Sequence, residues 1–302
     1  MTKENEAWNV YWAQNQKKAG GGCLPCADAS IDGALTLWWN DFARDLPRKA
    51  RVIDMASGNG VVLIKLLKSR PDLRATGIDA ATTLPPAGKN FKLRGGVSME
   101  AMPFGDATID VVTSQFGIEY ANMNIVAAEM ARILKIGGHY ALIIHNAAGP
   151  IVAHNLPRLH GLQWAVDDQQ LLIKARNWIG QKALLGSKIP VSFLEIQRSA
   201  ADKFGKQSVA AEIAAAVWQS LSVGQNLPIA ENIAMIDELD QMAGNEMGRI
   251  NALQYAAKTK DDIDEFCRFL FDAGLPVTRQ MPFSDFAPGA NHFAWIVQGQ
   301  RI

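Results

Sequence analysis

The sequence is poor in cysteine, balanced in charge and free of long apolar runs. Three cysteines in 302 residues are too few for a disulfide framework, so we expect a reducing compartment. Thirty basic and thirty acidic residues cancel, and no basic stretch could follow a phosphate backbone, which argues against a nucleic-acid partner. Neither a secretory signal nor a run of roughly 20 apolar residues is found. We therefore expect a cytoplasmic protein without a membrane partner.

The apolar residues, in contrast, are plentiful and ordered, at 48% of the chain. From residue 51, short apolar runs alternate with helical segments, and candidate strands lie at 51–56, 74–80, 91–96, 109–116 and 139–145. This alternation is typical of a parallel sheet built from strand–helix units. Two further strands are expected at 274–283 and 292–300. The pattern predicts an α/β fold: a Rossmann-like, seven-stranded, mostly parallel sheet with N-terminal helices and a large helical insertion after the fifth strand.

The same alternation predicts the domain organisation. Residues 1–48 are expected to form an N-terminal helical cap, and residues 49–150 with 246–302 the sheet-containing core. Residues 151–245 lack the alternation and are expected to form a helical lid that binds the acceptor. Within the core, we predict one helix over 123–138, ending at a glycine pair, and a long helix near 247–273.

The stretch "VIDMASGNG", residues 52–60, places glycines directly after a buried-looking strand. Glycines between a strand and a helix allow a tight turn and a close approach of a ligand to helix N–H groups. The pattern therefore indicates a nucleotide-type site. A dinucleotide fingerprint needs a third small residue three positions after Gly60, where this chain has Leu63.

Four motifs in register resemble the class I S-adenosylmethionine (SAM)-dependent methyltransferases, specifically their small-molecule branch. These are "DMASGNG", "GIDA", "SMEAMPFGDATIDVV" and "ARILKIGGHYALII". The resemblance covers residues 51–145 well and 247–302 in outline. It implies that SAM is the cofactor and that the core binds it, with contacts from Asp54, Ala56, Gly58, Gly60, Asp79, Ala80, Ser98, Met99, Gln115 and Phe116.

The resemblance also implies individual roles within that set. Asp79 would hydrogen-bond both ribose hydroxyls, while Asp54 would organise the methionine amino end or hold the glycine loop. Ser98 stands where the family often has an adenine-binding aspartate, and a hydroxyl can also accept that bond. Phe116 and Gln115 would line the methionine end of the cofactor, although plain core packing is an equal interpretation of Phe116.

Catalysis by such an enzyme is in-line displacement at an activated methyl group, so alignment matters more than acid–base chemistry. Where the acceptor must lose a proton, a base within hydrogen-bond reach helps. His145 is the leading candidate because it ends the fifth strand, where ligands of open α/β sheets gather. A strand-end histidine bonded to backbone is the alternative interpretation. Weaker candidates are Glu119, Tyr120, His154 and His160.

Aromatic residues before the first strand offer a second ligand-contact hypothesis. N-terminal helices in the family often close over the cofactor, and an aromatic ring attracts a sulfonium by a cation–π interaction. Tyr11 and Trp12 are the candidates here. Aromatic pairs at helix spacing are more often packing residues than ligand contacts, and core packing also explains Trp164, Trp178 and Trp218 in the predicted lid.

The pair Cys23 and Cys26 has the spacing of half a zinc site, but no second pair follows, so we predict no metal. Taken together, the residues predict a SAM-dependent methyltransferase. It would move a methyl group to an oxygen, nitrogen or carbon nucleophile of a small, partly apolar or aromatic metabolite. The alternatives are an NAD-type oxidoreductase and a catalytically silent partner protein that keeps the fold.

Overall fold

The structure is a computed structural model, and it describes residues 8–9, 11–13, 29–185, 188–285, 289 and 291–302. Cys23 and Cys26 lie outside the described residues. The chain divides into two compact units, the first running to Ala153 and resuming at Ala252, and the second comprising His154–Asn251. The sequence predicts these boundaries at 150/151 and 245/246. The functions of cap and lid stay predictions.

The first unit is built on one seven-stranded sheet. Its strands are β1 (Arg51–Met55), β2 (Arg74–Ile78), β3 (Phe91–Arg94), β4 (Ile109–Gln115), β5 (Leu134–His145), β6 (Val277–Phe283) and β7 (Ala294–Gln300). The order across the sheet is β3-β2-β1-β4-β5-β7-β6, and β7 runs in the direction opposite to the other six strands. The predicted fold class is therefore confirmed.

The strand order reverses at β1, which pairs with β2 on one side and β4 on the other. Such a reversal opens a crevice at the carboxyl ends of the strands, where open α/β sheets bind their ligands. The register sets Asp54 beside Thr113 and Met55 beside Ser114. The ends of β1 and β4 therefore define the place to look for a site.

Helices cover the sheet because its central strands are apolar on both faces. The first unit contains α1 (Ala29–Arg44), α2 (Val61–Ser69), α3 (Met123–Ile133) and α9 (Lys260–Asp272). Apolar residues of α3 and α9 share one buried cluster with Ile53 and Met55 of β1. Since side chains alternate along a strand, Asp54 lies on the opposite face from that cluster.

Two helix predictions are wrong in their extent. The helix expected over 123–138 ends at Ile133, because Leu134 is already extended and pairs with Ile109 as part of β5. Gly137 does not end a helix; its φ of 77° serves an irregularity inside β5.

The long helix expected near 247–273 is two helices. The first, α8 (Ile229–Ala256), ends before Lys258, whose backbone bridges to Asn146 at the end of β5. Thr259 then starts α9 with a capping box that includes Asp262. The sheet and the cap together impose a break that apolar periodicity does not reveal.

The second unit is helical and has its own core. Its elements are α4 (Pro150–Gln163), which begins in the first unit, a π-helical turn (Trp164–Asp168), α5 (Leu171–Leu185), α6 (Ser192–Phe204), α7 (Val209–Val223), a 3₁₀ turn (Gly224–Asn226) and most of α8. Trp164 and Trp178 are buried in this core, and Trp218 packs against it. Core packing is therefore the role that the structure gives these three rings.

Candidate functional site

The loop between β1 and α2 has the left-handed backbone that its glycines allow. Ala56, Gly58 and Gly60 have φ values of 50°, 51° and 77°. Gly60 precedes α2 as its N-cap without any side-chain cap bond. The first N–H groups of α2 therefore lack the side-chain acceptor that usually covers a helix start, which is the arrangement of an anion or nucleotide site.

Neighbouring groups approach this loop so closely that a side chain would not fit at two glycines. A Cβ on Gly58 would lie 2.2 Å from the Trp12 ring. A Cβ on Gly117, in the loop after β4, would lie 2.3 Å from Cβ of Ala56. The glycine loop thus touches both the N-terminal aromatic residues and the loop that follows β4.

Asp54, the last residue but one of β1, is a buried carboxyl group, 1% exposed, and Oγ1 of Thr113 donates to its Oδ1 over 2.8 Å. The pKa of Asp54 is raised to about 8, because burial, with a smaller contribution from the charge of Asp79, raises it more than the Thr113 bond lowers it. A group with this pKa changes charge near neutral pH. A cation placed beside it would favour the carboxylate.

Asp79 follows β2 and connects two backbone segments. Its Oδ2 accepts the N–H of Gly58 and its Oδ1 accepts the N–H of Ala81, each over 2.9 Å. Burial raises the pKa of Asp79, and these two N–H bonds lower it in part. A carboxylate has about four acceptor positions, so two remain for a pair of hydroxyl groups. Ala80, next in the chain, is exposed beside it.

Ser98 and Met99 lie in the loop after β3. Ser98 is exposed, and its Oγ accepts the N–H of Glu100 over 3.1 Å, while Met99 packs partly buried against the core. The loop is anchored from α3, where Glu129 accepts the N–H of Met102 and Arg132 donates to its carbonyl. The hydroxyl of Ser98 thus serves its own turn as an acceptor.

Gln115 and Phe116 occupy the end of β4. The Gln115 amide oxygen accepts the indole N–H of Trp39 on α1 over 2.7 Å, which fixes that side chain. Phe116 has a φ of 58°, and its ring stacks on the His145 imidazole with 4.0 Å between ring centres and 19° between planes. Phe116 is therefore a contact of the leading catalytic candidate.

His145, at the end of β5, and Glu119 form a buried pair. Oε1 of Glu119 lies 2.7 Å from Nδ1 of His145 and also accepts the His145 backbone N–H over 3.0 Å. The two side chains are 3% and 0% exposed. The ring of His145 is therefore bonded to the Glu119 side chain rather than to backbone, and its role as a base stays a prediction.

The described N-terminal residues form an aromatic cluster next to this pair. Tyr11 contacts Trp8 and Trp12 edge-to-face, and Trp8 contacts Tyr120 with 5.8 Å between ring centres. Asn9 accepts the N–H of Thr82, in the loop after β2, over 2.7 Å. Of the predicted residues, Tyr11, Trp12 and Tyr120 thus meet around the glycine loop and the Glu119 turn.

Sequence reasoning missed several contributors. Thr113 is the clearest, because a polar residue inside the apolar run "DVVTSQF", in the predicted strand 109–116, was a usable signal. Asn9, Trp39 and Gly117 had no such signal, since their partners are distant in sequence. His154 and His160 are exposed on α4 of the second unit. Among the described residues, no group of three His, Cys, Asp or Glu could hold a metal ion.

Part of the sequence is similar to a known protein family. Residues 53–142 match the family model for the methyltransferase domain. This segment of the chain is a methyltransferase domain. The resemblance drawn from the four sequence motifs is confirmed for this segment, which runs from β1 into β5 and includes Asp54, Asp79 and Glu119. His145 lies three residues beyond the matched segment, and Trp12 far before it.

Curated relatives match about two fifths of this chain. The 2-methoxy-6-polyprenyl-1,4-benzoquinol methylase of Caenorhabditis elegans is 28% identical over 142 residues, 41% of this chain and 50% of that protein. The ubiquinone/menaquinone biosynthesis C-methyltransferase UbiE of Rubrivivax gelatinosus is 30% identical over 118 residues, 36% of this chain and 45% of that protein. The chain spans about half the length of the curated relatives it matches.

Among solved structures, this chain is similar to geranyl diphosphate C-methyltransferase from Streptomyces coelicolor A3(2). The alignment covers 100% of this chain and 99% of that protein, with a TM-score of 0.48 and 11% identity.

No helix of the described residues is long and apolar enough to span a bilayer.

Proposed function

We propose that this protein transfers a methyl group from SAM to a small, partly apolar or aromatic molecule. The observation that carries the proposal is Asp79. Its two oxygens hold the glycine loop and the start of the next loop, and no other donor among the described residues uses their remaining acceptor positions. A ribose offers two adjacent hydroxyl groups, which match that arrangement.

The other residues fit the remaining parts of SAM. The uncapped start of α2 suits a carboxylate, and buried Asp54 suits an ammonium group. Ser98 and Met99 are assigned to the adenine, and Gln115 with Phe116 to the methionine end. Tyr11 and Trp12 are assigned to cover the cofactor. When bound, SAM supplies a methyl group that its positive sulfur has already activated.

The chain's own contribution is then alignment and proton removal. The glycine loop and Asp79 hold one reactant in place, which lowers the entropic part of the barrier. His145 takes the proton that the acceptor loses. The acceptor is proposed to be a hydroxylated aromatic ring, since the relatives are named for benzoquinol, ubiquinone and menaquinone. Residues 151–245 are proposed to bind it, and a cytoplasmic location stays a prediction.

A dinucleotide cofactor is the weaker proposal because of Leu63. This side chain stands where the dinucleotide fingerprint requires a small residue, and it is fully buried in α2. Titration calorimetry separates the two cofactors. We expect heat with SAM and S-adenosylhomocysteine and none with NAD, whereas the reverse would overturn the proposal.

A catalytically silent protein would bind SAM without transferring the methyl group. Incubation with tritium-labelled SAM and an extract of aromatic metabolites tests this. We expect label in the extract with wild-type protein and clearly less with Asp79→Ala at the same concentration of SAM. Binding without transfer to any extract would favour the silent protein.

A further inference from the structure

We infer that Glu119 is a positioning residue that holds His145 in the tautomer with the proton on Nδ1, leaving Nε2 as the base. The role of Nε2 as a base rests on the proposed function. The tautomer of His145 does not, because it can be measured without cofactor or acceptor. It goes beyond the sequence-based prediction, in which Glu119 was an alternative base.

The backbone N–H of His145 identifies Oε1 of Glu119 as an acceptor. The N–H of His145 can only donate, and it lies 3.0 Å from Oε1 of Glu119, so this oxygen is an acceptor. Nδ1 of the same residue lies 2.7 Å from the same oxygen. With Oε1 accepting as a carboxylate, Nδ1 must carry the hydrogen, which leaves the lone pair of a neutral imidazole on Nε2.

The ring is held in its plane as well as in its tautomer. Phe116 stacks on the imidazole at 4.0 Å, and its own N–H donates to the carbonyl of Ile143 on β5. Glu119 lies in a 3₁₀ turn, Ile118–Tyr120, that follows Gly117. Since Gly117 contacts Ala56 of the glycine loop, the pair is tied to the proposed cofactor site.

A purely structural role does not explain a carboxylate at this position. The side chain of Glu119 is 0% exposed, and among the described residues Oε2 has no hydrogen-bond partner. A buried polar atom without a partner lowers the stability of the fold, so an apolar side chain of similar size would be the more stabilising choice at this position. A carboxylate at position 119 has a further role if its negative charge stabilises the imidazolium that forms when Nε2 of His145 accepts a proton.

Two variants separate hydrogen bonding from charge. In Glu119→Gln, the fixed N–H of His145 orients the amide oxygen toward it, so Nδ1–H keeps an acceptor while the charge is lost. In Glu119→Leu, the acceptor and the charge are both lost. Asp110→Asn is the matched control, because Asp110 accepts the backbone N–H of Arg51 over 2.8 Å at the opposite end of β4.

The direct test is ¹⁵N–¹H correlation of the full chain labelled at its histidine ring nitrogens. The chain has five histidines, and the His145 signals are assigned by their loss in His145→Gln. We expect Nδ1–H for neutral His145 in wild type, Glu119→Gln and Asp110→Asn, and a tautomer mixture in Glu119→Leu. Nε2–H in wild type or Glu119→Gln, or an unchanged tautomer in Glu119→Leu, would overturn the inference.

Rates add a second readout. With tritium-labelled SAM and an aromatic metabolite extract, we expect transfer about 100-fold slower in Glu119→Leu and about 10-fold slower in Glu119→Gln. The dissociation constant for S-adenosylhomocysteine should stay within about twofold, because neither variant changes the Asp79 contacts. Should Glu119→Leu fail to fold, wild-type transfer by Glu119→Gln would contradict the inference. Absent heat with S-adenosylhomocysteine in wild type would instead refute the proposed function and leave the tautomer result standing.

Discussion

The candidate site has two halves that are built differently. The loops after β1 and β2 use backbone N–H groups, held by Asp79 and shaped by positive φ angles. The ends of β4 and β5 use side chains, with Glu119, His145 and Phe116 packed on each other. The first half is suited to holding a cofactor common to many enzymes. The second half is where one acceptor would be distinguished from another.

The largest expected effect sharpens this comparison from the side of β5. His145→Gln removes the proposed base, so methyl transfer should slow by about 100-fold or more. The affinity for SAM should stay near that of wild type, because the loops after β1 and β2 are untouched. Parallel rate and calorimetric measurements check both statements. Wild-type turnover in this variant would show that His145 is not the base. Loss of SAM binding would show that the ends of β4 and β5 also hold the cofactor, so that the two halves do not have separate roles.

Asp79→Ala tests the other half. It removes two bonds to backbone and the two proposed bonds to ribose, so SAM should bind about 10- to 100-fold more weakly. Asp72→Asn is the control, because Asp72 also accepts a backbone N–H, that of Lys49, and pairs with Arg70. The control should lower stability without lowering the affinity for SAM. Equal affinity of Asp79→Ala and wild type would sink the ribose assignment.

Asp54 predicts a pH dependence of stability. Its pKa is raised to about 8 in the folded protein, so between its unfolded pKa and about 8 the folded state binds more protons. Stability then falls as pH rises through this window, by about 2 kcal/mol between about pH 6 and pH 8. Asp54→Asn should lose this component while keeping an acceptor for Thr113. Urea unfolding of both proteins at the two pH values measures it, and parallel pH dependences would contradict the assignment.

The smallest effect separates a glycine that the loop needs from one that it does not. Gly58→Ala places a Cβ at a φ of 51° and against Trp12, so stability should fall by at least about 1 to 2 kcal/mol. Gly33→Ala, in α1, has no atom within 4 Å of the added Cβ and should raise stability by about 0.5 to 1 kcal/mol. Thermal unfolding of the two variants compares them. Similar changes in melting temperature in the two variants would show that the loop does not need a glycine at position 58.

The sequence was more informative about the first half than about the second. Asp54, Gly58, Gly60 and Asp79 stand at fixed offsets from predicted strands, and those offsets were sufficient to bring them to one edge. The seven strands, including the last two of the chain, were predictable from the same alternation, whereas no strand order was predicted.

The Glu119–His145 pair was not predictable as a pair. It depends on the register of β4 with β5 and on a short turn, which no local pattern reveals. The predictions of where strands and helices end failed for a similar reason. Leu134 joins β5 because Ile109 is there to pair with it, and Thr259 starts a new helix because Lys258 is bound to Asn146. Tertiary contacts decided these boundaries against the apolar periodicity.

Calorimetric titration of the wild-type chain with S-adenosylhomocysteine, repeated with Asp79→Ala, tests the central claim most directly. We predict saturable binding at one site per chain in the wild type and clearly weaker binding in the variant. No heat and no thermal stabilisation with either S-adenosylhomocysteine or SAM would contradict the account.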